Sequence, residues 1–167
     1  MYDGLEDGWP ISTFESKFLA RQAIDTDVTI SFTASQQRGP TFDVVTNVCV
    51  EQGGVGKNMR IHVVQSLDTY PASRSYNRNT VMQGLSGIDV FVAEGTCEIV
   101  NHSITFDPVS WGLFDQMQLT VWAQEPVPSD PAEVYQAKQL RWPFIGGYVF
   151  SDGFEDGTTA AWAVTSP

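Results

Sequence analysis

Residues 27–35 read DVTISFTAS. Val28, Ile30 and Phe32 alternate with Thr29, Ser31 and Thr33. A period of two is the mark of a strand with one buried and one solvated face. The same period returns along the chain. Phe42, Val44, Val48 and Val50 are in phase in TFDVVTNVCVE (41–51). So are Met59, Ile61 and Val63 in MRIHVVQSLD (59–68), and Met117, Leu119 and Val121 in QMQLTVWAQ (116–124). Further strand-like runs are VMQGL (81–85), IDVFVAEG (88–95), CEIVNHSITFD (97–107) and VYQAKQLRW (134–142).

Turn-forming stretches separate these runs: QQRGP, QGGVGKN, TYPASRSYNRNT, PVSWGL and EPVPSDPAE. QGGVGKN reads as a hairpin turn that includes Lys57 and Asn58, and PVSWGL as a plain turn. Short strands between turns, rich in Val and Thr, predict an all-β, antiparallel sandwich. No strand–helix alternation is present, which argues against a doubly wound sheet. One helix is expected, over about 12–24. There Ser12 and Glu15 form a capping box, and Phe14, Phe18 and Leu19 share a face. The organisation predicted is an acidic turn and helix at 1–25, a sandwich at 26–144 and a tail at 145–167.

The 167 residues are 42% hydrophobic and only 17% charged, with a net charge of −11. Such a chain repels a phosphate backbone, so nucleic acid is not an expected partner. No apolar run is long enough for a membrane helix. The opening MYDGLEDGWP has neither the basic nor the apolar region of a signal peptide. The chain is therefore either retained inside or is a processed or partial chain. An acidic, lysine-poor composition favours the exported alternative.

Cys49 and Cys97 are the two cysteines, and no CxxC pair occurs. Alternation places Cys49 opposite in sense to Val48 and Val50. If Val100, Ile104 and Phe106 face the core, Cys97 also points outward. Two outward cysteines on one sheet are candidates for a cross-strand disulfide that closes a loop of about 48 residues. The alternative is two unpaired thiols in a reducing compartment.

Catalytic signals are weak. No GxSxG is present, and His62 and His102 lie within strand patterns and read as surface or sheet-face residues. QGGVGKN lacks the spacing of a phosphate loop. Carboxylates cluster in terminal turns rather than on facing strands, which argues against glycoside hydrolysis. The chain is not expected to be an enzyme, and no cofactor is expected beyond a possible calcium ion. DGLEDG (3–8) and DGFEDG (152–157) are nearly the same hexapeptide. In the second, Asp152, Glu155 and Asp156 offer oxygen ligands of the kind calcium takes. That ion needs about six to eight oxygens, and Asp-Gly steps form turns equally well. Exposed aromatics are candidates for stacking on sugars: Trp122, Trp142 and Tyr76, with Tyr70 and Trp111. Trp122 is out of phase with Leu119 and Val121, which places it on the open face. The alternative is packing under a loop, the helix or the tail.

The run TDVTISFTA … VGKNMRIHVVQSLDTYP … RNTV … ITFDPVSW … LTVWAQEP, about residues 26–126, resembles a known family of domains. These are the immunoglobulin-like sandwiches that follow a thioredoxin-like domain in secreted bacterial proteins. The tail FSDGFEDGTTAAW resembles a C-terminal D-G-F-E-x-G…W motif of exported bacterial proteins. The resemblance implies an immunoglobulin-like fold and an extracellular or cell-surface location. It carries over no redox activity, because the thioredoxin-like domain is absent apart from the helix at 12–24, which would be its last element. The cysteines are not part of the family's pattern, so the disulfide rests on strand alternation.

The function expected is a structural or interaction domain whose partner is itself. The tail supplies a donor segment, Tyr148, Val149 and Phe150 after a Gly-Gly joint, with Phe154 and Trp162 further on. The alternative is a carbohydrate-binding module with cell-surface glycans as partners.

Overall fold

A computed structural model of the protein describes residues 25–71, 78–127 and 132–144. The expected helix at 12–24, both acidic hexapeptides, Tyr76 and the whole tail lie outside the described residues.

Among the described residues there are eight strands: β1 (Val28–Arg38), β2 (Thr41–Val50), β3 (Lys57–Thr69), β4 (Arg78–Gly84), β5 (Ile88–Val92), β6 (Cys97–Thr105), β7 (Met117–Gln124) and β8 (Val134–Arg141). One sheet has the order β1-β2-β6 and the other β4-β3-β7-β8, with β5 also paired to β3. All ladders between strands are antiparallel. This is an all-β sandwich. β1, β2 and β6 take the places of strands A, B and E in an immunoglobulin fold, and β3, β7 and β8 those of C, F and G.

The period of two does what it predicts. Val28, Ile30 and Phe32 of β1 are buried, as are Phe42, Val44, Val48 and Val50 of β2. They meet Met59, Ile61 and Val63 of β3 and Met117, Leu119 and Val121 of β7. A fully buried side chain of this size contributes roughly 1.5–3 kcal/mol, so two facing rows make the core the main stabilising feature.

Two turns differ from the sequence reading. QGGVGKN is not a hairpin turn. It crosses from one sheet to the other, and Lys57 and Asn58 already belong to β3. The crossing brings the backbone close to its surroundings: a Cβ at Gly54 would sit 2.8 Å from Asp27 Oδ2 and 2.9 Å from Val50 Cγ1. Glycine is the residue that tolerates such an approach. PVSWGL is not a plain turn. Pro108–Gly112 form a one-turn helix, α1, followed by a 3-10 turn at Phe114–Gln116. Asp107 caps α1, its Oδ1 accepting from Val109 N at 2.8 Å and Ser110 N at 3.0 Å. Pro108 costs no hydrogen bond in the first helical turn. The Asp-Pro step was the signal.

Candidate functional site

Cys49 and Cys97 are register partners on β2 and β6. They form a disulfide with Cα atoms 4.0 Å apart. The bridge joins neighbouring strands within one sheet, on its outer face, and so does not cross the core as the B–F bridge of antibody domains does.

The outer face of the β4-β3-β7-β8 sheet carries the second feature. Trp122 of β7 is the register partner of His62 on β3. Their rings stack, with centroids 4.9 Å apart and planes 13° from parallel. The indole Nε1–H donates to Gln124 Oε1 at 2.8 Å. Arg60, two residues before His62, forms a fork with Asp89 at 2.6 and 2.8 Å. Gly87 packs over both side chains, since a Cβ there would lie 2.6 Å from Arg60 Cγ and 2.9 Å from His62 Cε1. Burial, and then the positive charge of Arg60, lower the His62 pKa. Across β7, the register partner of Trp122 is Ala137 of β8, an exposed residue. Gln139 Nε2 donates to Thr120 Oγ1 at 3.2 Å in the adjacent row.

His102 corrects the sequence reading. It is not on the surface but lies between the buried Val100 and Ile104 on the core side of β6, with 8% of its surface exposed. Burial holds its pKa low, partly offset by a hydrogen bond to the Ser86 backbone. The alternation that faced Val100 and Ile104 inward required this position, because His102 shares their phase.

The third feature lies at one end of the sandwich. Phe42, Phe106, Trp111, Trp142 and Phe144 form one aromatic cluster, with centroid separations of 5.2 Å for Phe42–Phe106 and 5.5 Å for Trp142–Phe144. Phe114 extends it, 5.3 Å from Trp142 and 47% exposed. Val109, on α1, is 44% exposed. Trp142 is thus part of an aromatic end, on a different surface from Trp122, and Tyr70 packs against the core. The sequence reading missed this cluster because its members come from β2, the residue after β6, α1 and the chain after β8. A buried network below it was missed as well. Ser110 Oγ donates to Asp107 Oδ2 at 2.6 Å and accepts from Gln65 Nε2 at 3.2 Å, tying α1 to β3.

At the opposite end, Lys57 pairs with Asp27 and lies 5.9 Å from the centre of the Tyr135 ring. The Lys57 hydrogen bond and one from Val55 N lower the Asp27 pKa. Among the described residues no group of three or more His, Cys, Asp or Glu is placed to hold a metal ion. Asp152, Glu155 and Asp156 lie outside those residues, as do Tyr148, Val149, Phe150, Phe154 and Trp162. No helix of the described residues is long and apolar enough to cross a membrane.

No protein-family model matches the chain, and no curated protein is similar to it. Solved structures do share the fold. HBP35 of Porphyromonas gingivalis superposes with a TM-score of 0.61 at 12% identity, covering 81% of this chain and 47% of that one. This chain therefore spans about half the length of HBP35. A domain of the outer membrane lipoprotein Omp28 from Porphyromonas gingivalis superposes with a TM-score of 0.52 at 11% identity, covering 70% of this chain and 88% of that one. A β-glucosidase from Kluyveromyces marxianus reaches a TM-score of 0.40 over 14% of its length, too little to bear on activity. At these identities the likeness is one of fold.

Proposed function

We propose that this chain is a non-catalytic, extracellular structural domain that self-assembles through its terminal segment. The observation that carries the reading is the aromatic end. Phe114 is exposed there against half-buried Trp142, Val109 is exposed on α1, and Phe144, the last described residue, belongs to the same cluster. Apolar groups gathered at one exposed spot mark contact sites more often than scattered ones do. The segment that follows, 145–167, carries Tyr148, Val149, Phe150, Phe154 and Trp162. Those are side chains of the kind that cover such a surface. Docked on a neighbouring copy, the segment makes a head-to-tail contact, which propagates into a filament when the geometry does not close. Chain length permits this, since 23 extended residues reach up to roughly 75 Å.

Export is supported by the Cys49–Cys97 disulfide, because such bonds persist in oxidising compartments. The fold shared with a domain of an outer membrane lipoprotein agrees. Comparing the assembly state of the intact chain with that of a truncation lacking 146–167 tests the reading.

A second reading, a carbohydrate-binding domain, has one specific observation behind it. The Trp122 indole stands on the outer face of the larger sheet, half-buried, and among the described residues its one ring contact is the stack on His62.

A further inference from the structure

We infer that the outer face of the β4-β3-β7-β8 sheet holds a slot for a neutral pyranose ring, walled by the indole of Trp122 and floored by Ala137. This deepens the carbohydrate-binding reading and rests on it. The register fixes the geometry. His62 lies across from Trp122 on β3 and Ala137 across from it on β8. The imidazole covers one side of the indole at 4.9 Å and 13°. On the other side the sheet presents only a methyl group, and Ala137 is exposed. A flat aromatic wall therefore stands beside a strand position that carries only a methyl group.

The wall is held in advance of any ligand. Its Nε1–H is bonded to Gln124 Oε1, and the imidazole behind it is bounded by Gly87. A fixed aromatic side chain binds without a large loss of rotamer freedom. The groups bordering the slot along β7 and β8 are hydroxyl and amide: Thr120, Gln139 and Gln124. They exchange hydrogen bonds with hydroxyl groups and carry no charge. The nearest charges in the flanking row, Arg60 and Asp89, neutralise each other in a fork.

This chemistry selects its ligand. A pyranose offers an apolar C–H face to an indole and hydroxyl groups at its rim to the amides. An anionic ligand, whether a nucleotide or an acidic sugar, approaches a chain of net charge −11. A purely apolar ligand would leave Gln139 and Thr120 with no gain.

The test is affinity electrophoresis of the full chain through native gels. The gels contain a neutral polysaccharide (β-glucan, galactomannan, xylan or starch) or an anionic one (alginate). Retardation by at least one neutral polymer is expected. Trp122→Ala should weaken it about tenfold or more, with Trp122→Phe keeping most of it. Ala137→Leu should abolish it by filling the slot. That substitution lies on an exposed strand position, so it keeps the test usable if Trp122→Ala fails to fold. Retardation that survives both Trp122→Ala and Ala137→Leu overturns the slot and leaves the carbohydrate reading standing. Retardation by alginate alone overturns the neutral-ligand assignment. No retardation by any polymer overturns the slot and the carbohydrate reading together.

Discussion

Replacing both cysteines, Cys49→Ser with Cys97→Ser, should cost about 4 kcal/mol of stability. The bridge spans a sequence separation of 48 residues. In the chain-entropy model, a crosslink over such a loop removes roughly 14 cal/mol/K from the unfolded ensemble, which is about 4 kcal/mol at 25 °C. Other costs of the substitution are small. Both side chains point out of the sheet, among Asn47, Ile99 and Thr29, so serine hydroxyls meet water and no core cavity opens. The strand pair itself survives, because β2 and β6 are held by nine register pairs from Thr41↔Thr105 to Cys49↔Cys97. A domain of ordinary stability, about 5–15 kcal/mol, should therefore remain folded without the bridge. The assay is urea unfolding followed by tryptophan fluorescence. With a slope near 2 kcal/mol/M, the midpoint should fall by about 2 M. Denatured intact protein should also show no free thiol. A midpoint shift below about 0.5 M would refute the crosslink argument, as would two reactive thiols in the unreduced protein.

Three further outcomes are expected. Burial lowers the pKa of both His62 and His102, so each binds fewer protons in the folded state than in the unfolded one. Stability is then complete above the unfolded histidine pKa of about 6.5 and falls as the pH drops below it, by at most about 1.4 kcal/mol per pH unit for each histidine. His102→Leu should flatten that slope in pH-dependent thermal unfolding, and an unchanged slope would show that His102 does not titrate with unfolding. Ser110→Ala strips Gln65 Nε2 of its acceptor in the core and should destabilise by about 1–3 kcal/mol. Adding Gln65→Met should recover part of that loss, and strict additivity of the two would contradict the shared bond. Phe114→Ser alters an exposed ring at the aromatic end, so monomer stability should change by less than about 1 kcal/mol while self-association weakens. Light scattering at matched concentration measures the second effect, and an unaltered assembly would remove Phe114 from the contact.

Strand positions and their inward residues were legible because one face of each strand is apolar, and a period of two is visible within a single run. The cysteines followed from the same alternation applied to β2 and β6. The crossing at 52–57 was misread because a glycine-rich loop looks alike whether it joins neighbours in one sheet or passes between two. What separates those cases is the pairing of β2 with β6 and of β3 with β7, which is set far away in sequence. His102 was misread because residue type outweighed phase: an imidazole between Val100 and Ile104 takes the buried side whatever its polarity. Trp122 was placed on the outer face by phase, but its stack on His62 depends on the register of β3 against β7, which no local pattern states. The aromatic end joins residues as distant as Phe42 and Phe144, so only the folded chain reveals it.

The central claim is that residues 145–167 connect one copy to the next. The most direct measurement is size-exclusion chromatography with multi-angle light scattering and negative-stain microscopy. It compares the intact chain with a truncation lacking 146–167, both checked for folding by circular dichroism. The account predicts filaments or large oligomers from the intact chain and a folded monomer from the truncation. Folded monomers from both would contradict it.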